Sequence, residues 1–266
     1  MTIRLKHLIL PLILLLASCG KHAQTADFDD VAFDSIAIDT VARLSQDANA
    51  PQCQLSIHLQ YAKGENAQAI NKAVLQSEIL VPDYSVTQAQ PSDFKQAAQQ
   101  FVSEFTAGYL KEYGELYRTD TEHAFSYNLA YQINTATSNG PKDILNYIAT
   151  VKTDAGGAYP ITQTIVKNIN VKIGAIVGLD DLFKPGYETA LKEKLEAALL
   201  KRFEAENMAQ LAEKSIFVNG IEYISENFIL GKNDITFIYC EAEAAPHDVG
   251  EIRLKIDNDD IEDLLK

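Results

Sequence analysis

The sequence predicts an α+β fold in which antiparallel sheets pack against two long helices, arranged as two related subdomains. Three observations point there. Several segments alternate apolar and polar residues with period two, the mark of half-buried strands. Two longer segments repeat apolar residues every three or four positions, which places them on one helical face. Strands and helices also come in blocks instead of strict β-α-β alternation, and blocks favour antiparallel pairing.

Residues 19–50 carry Asp27, Asp29, Asp30, Asp34, Asp39 and Asp47 among small polar residues. They read as a flexible acidic tether with room for a short strand at Val31 to Ile38. From Cys53 to Tyr61 the alternation Cys53, Leu55, Ile57, Leu59 against Gln54, Ser56, His58 predicts a strand with His58 on its polar face. A short helix follows from Asn66 to about Ser77. Pro91 and Ser92 open a long helix whose Phe94, Ala97, Ala98, Phe101, Phe105, Tyr109, Tyr113 and Tyr117 share one face, with Ser92 as N-cap. Such an aromatic stripe belongs in a core.

Strands are predicted at His123 to Ile133, Ile144 to Thr153, Tyr159 to Ile169 and Asn170 to Val177, with a turn at 137–141. Leu179 to Phe183 reads as a tight turn. A second long helix from Tyr187 to Lys214 carries Leu191, Leu195, Leu199, Phe203 and Leu211 on one side. Three closing strands, about 222–230, 234–241 and 250–256, lead into a terminal helix near Asp259. The units then divide as 51–153, an N-terminal α+β subdomain, and 154–266, a C-terminal α+β domain.

Composition bounds the function. Hydrophobic residues at 47% and charged residues at 23% suit a globular protein, and about 215 residues after the tether suffice for a sizeable core. The net charge of −14 repels nucleic acid and anionic headgroups and favours encounter with cationic proteins. No nucleic-acid partner is expected.

The first twenty residues, MTIRLKHLILPLILLLASCG, combine positive Arg4 and Lys6, an apolar run from Leu8 to Leu16, and Leu16-Ala17-Ser18-Cys19. The apolar run is about half of the roughly 20 residues a bilayer span needs, and Pro11 interrupts it. This pattern resembles a bacterial lipoprotein signal. The resemblance implies cleavage after Ser18, so that 1–18 is the signal peptide, and lipidation of Cys19. Acyl chains contribute roughly 0.8 kcal/mol per buried CH₂, enough to hold a water-soluble domain on a membrane. Gly20 and Lys21 place no aspartate after the cysteine, which by resemblance to retention signals leans towards the outer membrane. Loss of Arg4 and Lys6 leaves 21 basic against 37 acidic side chains, a net −16.

Catalytic motifs are scarce. Neither G-x-S-x-G, a P-loop, G-x-G-x-x-G nor HExxH occurs. His22, His58, His123 and His247 lack metal-ligand spacing, so no metal and no cofactor is expected. Cys53 and Cys240 are open to two readings, a disulfide across the globular part or two buried thiols. Adjacent Asp180 and Asp181 suit acid/base work on paper, yet on a turn such neighbours point apart and an aspartate there caps a helix. Asp257, Asp259 and Asp260 lack the glycine and spaced glutamate of a calcium loop.

Three stretches taken together resemble one family. They are Gly156-Gly157-Ala158-Tyr159-Pro160, then Leu179-Asp180-Asp181-Leu182-Phe183, then the ending from Asn227 through Ala245-Pro246-His247-Asp248-Val249-Gly250. Their order and spacing are similar to the extracytoplasmic domains of RsiV-like anti-sigma factors and PdaC-like deacetylases. The chain departs from that pattern twice, with Tyr159 where the family often has histidine and His247 where it often has tyrosine. The resemblance implies ligand loops containing Gly156, Gly157, Tyr159, Pro246, His247 and Gly250. It also implies an extracytoplasmic binding module, which in RsiV-like proteins captures lysozyme.

The expectation is therefore a lipid-anchored binding protein of the cell envelope, not an enzyme, engaging a cationic hydrolase or peptidoglycan. A glycan-modifying enzyme using Asp180, Asp181 or His247 and a structural scaffold lipoprotein are the alternatives.

Overall fold

The computed structural model describes residues 25–77, 79–80, 93–157 and 159–266. The signal-like segment, Cys19 and Ser92 lie outside them. Among the described residues no helix is long and apolar enough to cross a membrane.

A six-stranded sheet in the order β1-β2-β3-β4-β5-β6 forms the larger layer. Within the predicted tether the short strand expected at Val31 to Ile38 is a longer one: β1 (Val31–Arg43) pairs antiparallel with β2 (Gln52–Gly64) along all 13 residues. Asp34 disguises its core-facing alternation and is satisfied from the neighbouring strand, pairing with Lys63 at 2.5 Å and accepting the Tyr61 hydroxyl at 2.9 Å. Ile36, Ile38 and Ala42 pack half-buried against the core.

The sheet is not wholly antiparallel. β3 (Leu129–Asn139) runs parallel to β2 from Cys53↔Leu129 to His58↔Asn134. A parallel pair needs a long crossover, and α1 (Ala67–Leu75) and α2 (Phe94–Thr119) supply it. Asp93 caps α2, its side chain accepting the Gln96 N–H at 3.0 Å. The aromatic face of α2 is core as far as Tyr109, which donates to the Tyr127 carbonyl at 2.8 Å. Its last turns project past the sheet, leaving Tyr113 and Tyr117 half-buried among aromatic neighbours.

β4 (Ile144–Asp154), β5 (Ile161–Asn170) and the short β6 (Ala175–Ile176) complete the sheet by antiparallel pairing. The boundary expected between residues 153 and 154 is thus the tip of a hairpin: β4 and β5 pair from Ile144↔Asn170 to Thr153↔Ile161. Gly174 makes the β5–β6 turn at φ +66, where a Cβ would lie 2.4 Å from that of Ala69, so α1 can rest directly on it.

The smaller layer begins with α3 (Leu179–Leu182), a single helical turn in place of the predicted plain turn. Next come α4 (Glu188–Arg202) and α5 (Met208–Glu213) over a three-stranded antiparallel sheet of β7 (Phe228–Leu230), β8 (Asp234–Tyr239) and β9 (Ile252–Asp257). The second long helix is therefore two helices. Asn207 accepts the Gln210 N–H at 3.1 Å and starts α5 afresh, and Glu204 takes a left-handed turn between them. The terminal helix is a 3₁₀ turn at Asn258–Asp260. Leu191, Leu195 and Leu199 of α4 are fully buried, each worth about 2 kcal/mol in transfer free energy.

Each layer has its own core. The first spans residues from Ala26 to Val171, the second from Leu179 to Ile261. The division in the chain thus falls between 171 and 179.

Candidate functional site

The two layers meet along the outer edge of β5, and asparagine side chains stand there in place of a neighbouring strand. Asn227 Oδ1 accepts the Val166 N–H at 2.7 Å while its Nδ2 donates to the Thr164 carbonyl at 2.6 Å. In the reverse direction Asn146 of β4 donates to the Leu230 carbonyl at 3.0 Å and accepts its N–H at 3.3 Å, and Asn168 of β5 donates to the Phe228 carbonyl at 3.0 Å. An unpaired sheet edge in a protein interior would leave these groups without partners. The amide, one donor and one acceptor side by side, mimics the missing strand.

At one end of this seam the two expected ligand loops converge. Tyr159 lies in the β4–β5 loop and is 66% exposed. Its ring stacks on that of His247 at 4.7 Å between centroids and 19° between planes. His247 opens a 3₁₀ turn, His247–Val249, held by Pro246 before it and by Gly250 at φ +72 after it. Its Nδ1 pairs with the carboxylate of Glu241, whose side chain is only 12% exposed. The other Glu241 oxygen accepts the Thr162 N–H at 2.9 Å. Glu241 therefore ties β5, the chain after β8 and the imidazole together.

Tyr159 and His247, one from each expected ligand loop, are thus each other's stacking partners. Gly156 and Gly157 form the approach to Tyr159. Gly156, at φ +70, packs so closely on the turn before β3 that a Cβ would lie 3.2 Å from Ser126 Cα. That turn carries Phe125, 79% exposed. Three loops, around residues 125, 159 and 247, share this end of the molecule.

Around the stack the surface is acidic. Glu243 accepts the Tyr223 hydroxyl and, through its other oxygen, the Cys240 N–H at 2.6 Å. Burial, with Glu243 beside it, holds Tyr223 well above the usual phenol range. Asp248 and Glu251 follow, and Glu251 pairs with Arg253 at 2.5 Å.

The remaining candidates fall elsewhere. Cys53 and Cys240 are both free thiols. Cys53 lies on β2, three strands from β5, and Cys240 Sγ packs on the far side of β5 with its thiol donating to the Thr164 carbonyl at 3.3 Å. Three strand spacings of about 4.8 Å exceed disulfide reach. Burial pushes both thiols up to about 11, so neither is a ready nucleophile. Asp181 accepts the Gly178 N–H at 2.9 Å as a helix cap, and the carbonyl of Asp180 accepts the Lys266 ammonium. Both take no part in the Tyr159–His247 cluster.

Sequence reading missed Glu241, Thr162, Asn227 and Phe125. An asparagine inside a strand pattern was the available signal for Asn146 and Asn168, since it is depleted in strands and needs partners there.

The arrangement defines a two-layer α+β protein with a loop-borne surface at the junction of its layers. The family described as a protein of unknown function (DUF3298) matches residues 180–259. A crystal structure of a DUF3298 family member from Bacteroides fragilis NCTC 9343 superposes with a TM-score of 0.75 at 23% identity, over 89% of this chain and 94% of that one. A DUF3298 family protein from Pseudomonas aeruginosa PAO1 gives a TM-score of 0.58 at 13% identity, over 88% of this chain and 95% of that one. These likenesses show a shared fold across both layers. No curated protein matches the chain.

Proposed function

We propose that this chain is a lipid-anchored binding protein of the cell envelope that presents the Tyr159–His247 surface to a cationic hydrolase of the lysozyme type. The convergence of the β4–β5 loop and the loop after β8 on one stacked pair carries the reading. The exposed Tyr159 ring offers a cation–π contact to Lys and Arg, and the exposed carboxylate of Asp248, next to His247, an ion pair. The net charge, −14 for the full sequence and −16 once Arg4 and Lys6 are lost, would also accelerate encounter with such a partner. The lipoprotein-like N-terminus supplies the location.

Titration calorimetry with lysozyme at low and moderate salt tests it. A complex that weakens with salt, and weakens about tenfold or more in Tyr159→Ala and His247→Ala, is expected, since each ring is a central contact. Absence of a complex at both salts rejects the hydrolase.

A second reading has one observation of its own. An imidazole whose Nδ1 is held by a carboxylate is an oriented base, which suits a glycan-modifying enzyme. Turnover of labelled peptidoglycan fragments that vanishes in His247→Ala and Glu241→Gln would favour it over binding alone.

A further inference from the structure

Among the described residues, the outer edge of β1 is a long strand edge on which the fold sets almost no cap. On β2, the Gln60 N–H goes to Thr135 and the Ala62 N–H to Asn71, both away from β1, while the His58 carbonyl accepts Thr135. In an antiparallel pair the opposed residues alternate between bonding each other and bonding outward. The partners of Ala62, Gln60 and His58 are Phe33, Ser35 and Ala37, so these residues, and by alternation Asp39, Val41 and Arg43, direct their N–H and C=O groups away from the sheet. Among the described residues only one of these N–H groups has a partner, Ser35, whose N–H is met by its neighbour Asp34 at 2.8 Å. The edge of β5 is treated differently, with Asn227, Glu241 and Cys240 all spent on it.

Of the usual blunting devices β1 carries only charges, Asp34, already paired with Lys63, and Asp39 and Arg43. β1 is 13 residues long, about 40 Å at strand rise, with no proline, glycine or lysine. Its core-facing Ile36 and Ile38 stay half-buried, and Val41 is 49% exposed. Native proteins usually break such an edge with a charge, proline or bulge.

We propose that β1 pairs antiparallel with β1 of a second copy, about a two-fold axis through Ala37, joining two six-stranded sheets into one. The choice of occupant rests on self-complementarity. Because side chains alternate, the register must keep the core face in line, so odd residues face odd and even face even. Centred on Ala37, Ile36 meets the partner's Ile38, Ser35 meets the partner's Asp39, Phe33 the partner's Val41 and Asp34 the partner's Thr40. No like charges oppose. A shift of the axis by two residues, to Asp39, would set two aspartates face to face, which is destabilising. An isologous contact of this kind closes on itself and leaves no free edge.

Residues opposed in an outward-bonding pair have Cα atoms about 5.5 Å apart, within disulfide range. Ala37→Cys should therefore cross-link the purified chain into a covalent dimer under mild oxidation. Ser35→Cys should not, but should join Asp39→Cys when the two variants are mixed. Ala37→Pro removes two bonds per dimer while sparing the β2 ladder, so sedimentation should show dissociation roughly tenfold easier or more. Its far-ultraviolet circular dichroism should match that of the parent. Hydrogen exchange at Ala37, Asp39 and Val41 should slow with protein concentration. A parent chain that sediments as a monomer up to high micromolar concentration overturns the proposal. So does cross-linking of Ser35→Cys alone that equals that of Ala37→Cys, or protection at these amides that appears only when a different protein or peptide is added.

Discussion

Asn227 is the position at which one substitution should separate the two layers. Its amide serves two backbone groups of β5, the Val166 N–H at 2.7 Å and the Thr164 carbonyl at 2.6 Å. Val166 and Thr164 are 2% and 7% exposed, so water cannot easily replace what Asn227→Ala removes. An orphaned buried donor or acceptor costs about 1–3 kcal/mol. The carbonyl keeps the weaker Cys240 thiol at 3.3 Å, which places most of the loss on the Val166 N–H and gives about 3 kcal/mol in total. For a domain of this size that lowers the melting temperature by roughly 6–12 °C. Asn227→Asp keeps the acceptor for Val166 but sets an anion against the Thr164 carbonyl, so it should recover little. Differential scanning calorimetry measures the shift, and hydrogen exchange at Val166 locates it. A variant within about 0.5 kcal/mol of the parent, or one whose Val166 amide stays protected, would refute the view that this side chain takes the place of a strand.

Other substitutions test other parts. Gly174→Ala must fit a Cβ 2.4 Å from that of Ala69 at a φ of +66, so denaturant titration should show a loss of about 2–4 kcal/mol. Thiol counting in denaturant without reductant should find Cys53 and Cys240 free, and reductant should leave the melting temperature unchanged. The Cys53 thiol is raised to about 11 from 9.0 by burial. The unfolded thiol therefore ionises first, and stability fully present below pH 9 is lost as pH rises towards 11, by roughly 2–3 kcal/mol. Cys53→Ala should flatten that alkaline limb in melts between pH 8 and 11. Asp34 has the opposite sign: the Lys63 ammonium and the Ser35 N–H hold its carboxyl far below the usual range, so stability present at neutral pH falls as pH drops below 4, less steeply in Asp34→Asn.

The parts of the fold that could be read from the sequence were those governed by local periodicity. The alternation from Cys53 to Tyr61 and the helical spacing from Phe94 to Tyr109 give the right elements because burial on one face is a local property. What the pattern could not carry was partner choice. β1 was expected only as a short strand, Val31 to Ile38, because Asp34 interrupts its core-facing residues, and only Lys63 and Tyr61, nearly thirty residues on, neutralise that charge. The parallel β2–β3 pair follows from the crossover of α1 and α2, a three-dimensional fact. The break between α4 and α5 was present in Asn207, a good N-cap inside an apolar helical pattern that outweighed it. At the candidate site, Tyr159 and His247 were named only through the family resemblance of their loops, whereas Glu241, which pairs with the imidazole, sits among glutamates that look alike in one dimension.

The stacked pair and the asparagine seam are physically one system. Tyr159 belongs to the layer of β5 and His247 to the chain leaving β8, and Glu241 and Asn227 tie the segments that carry them together. Loosening Asn227 should therefore impair the surface without touching it. Asn227→Ala, compared with parent well below its melting temperature, should bind any ligand of the Tyr159–His247 surface more weakly. The deficit should shrink in Tyr159→Ala, where the stack is already gone, and a double-mutant cycle measures that coupling. Gly174→Ala, at a distant turn, is the control for lost stability alone. Equal deficits in Asn227→Ala and Gly174→Ala, or a cycle with no coupling, would show that the two rings keep their places without the seam.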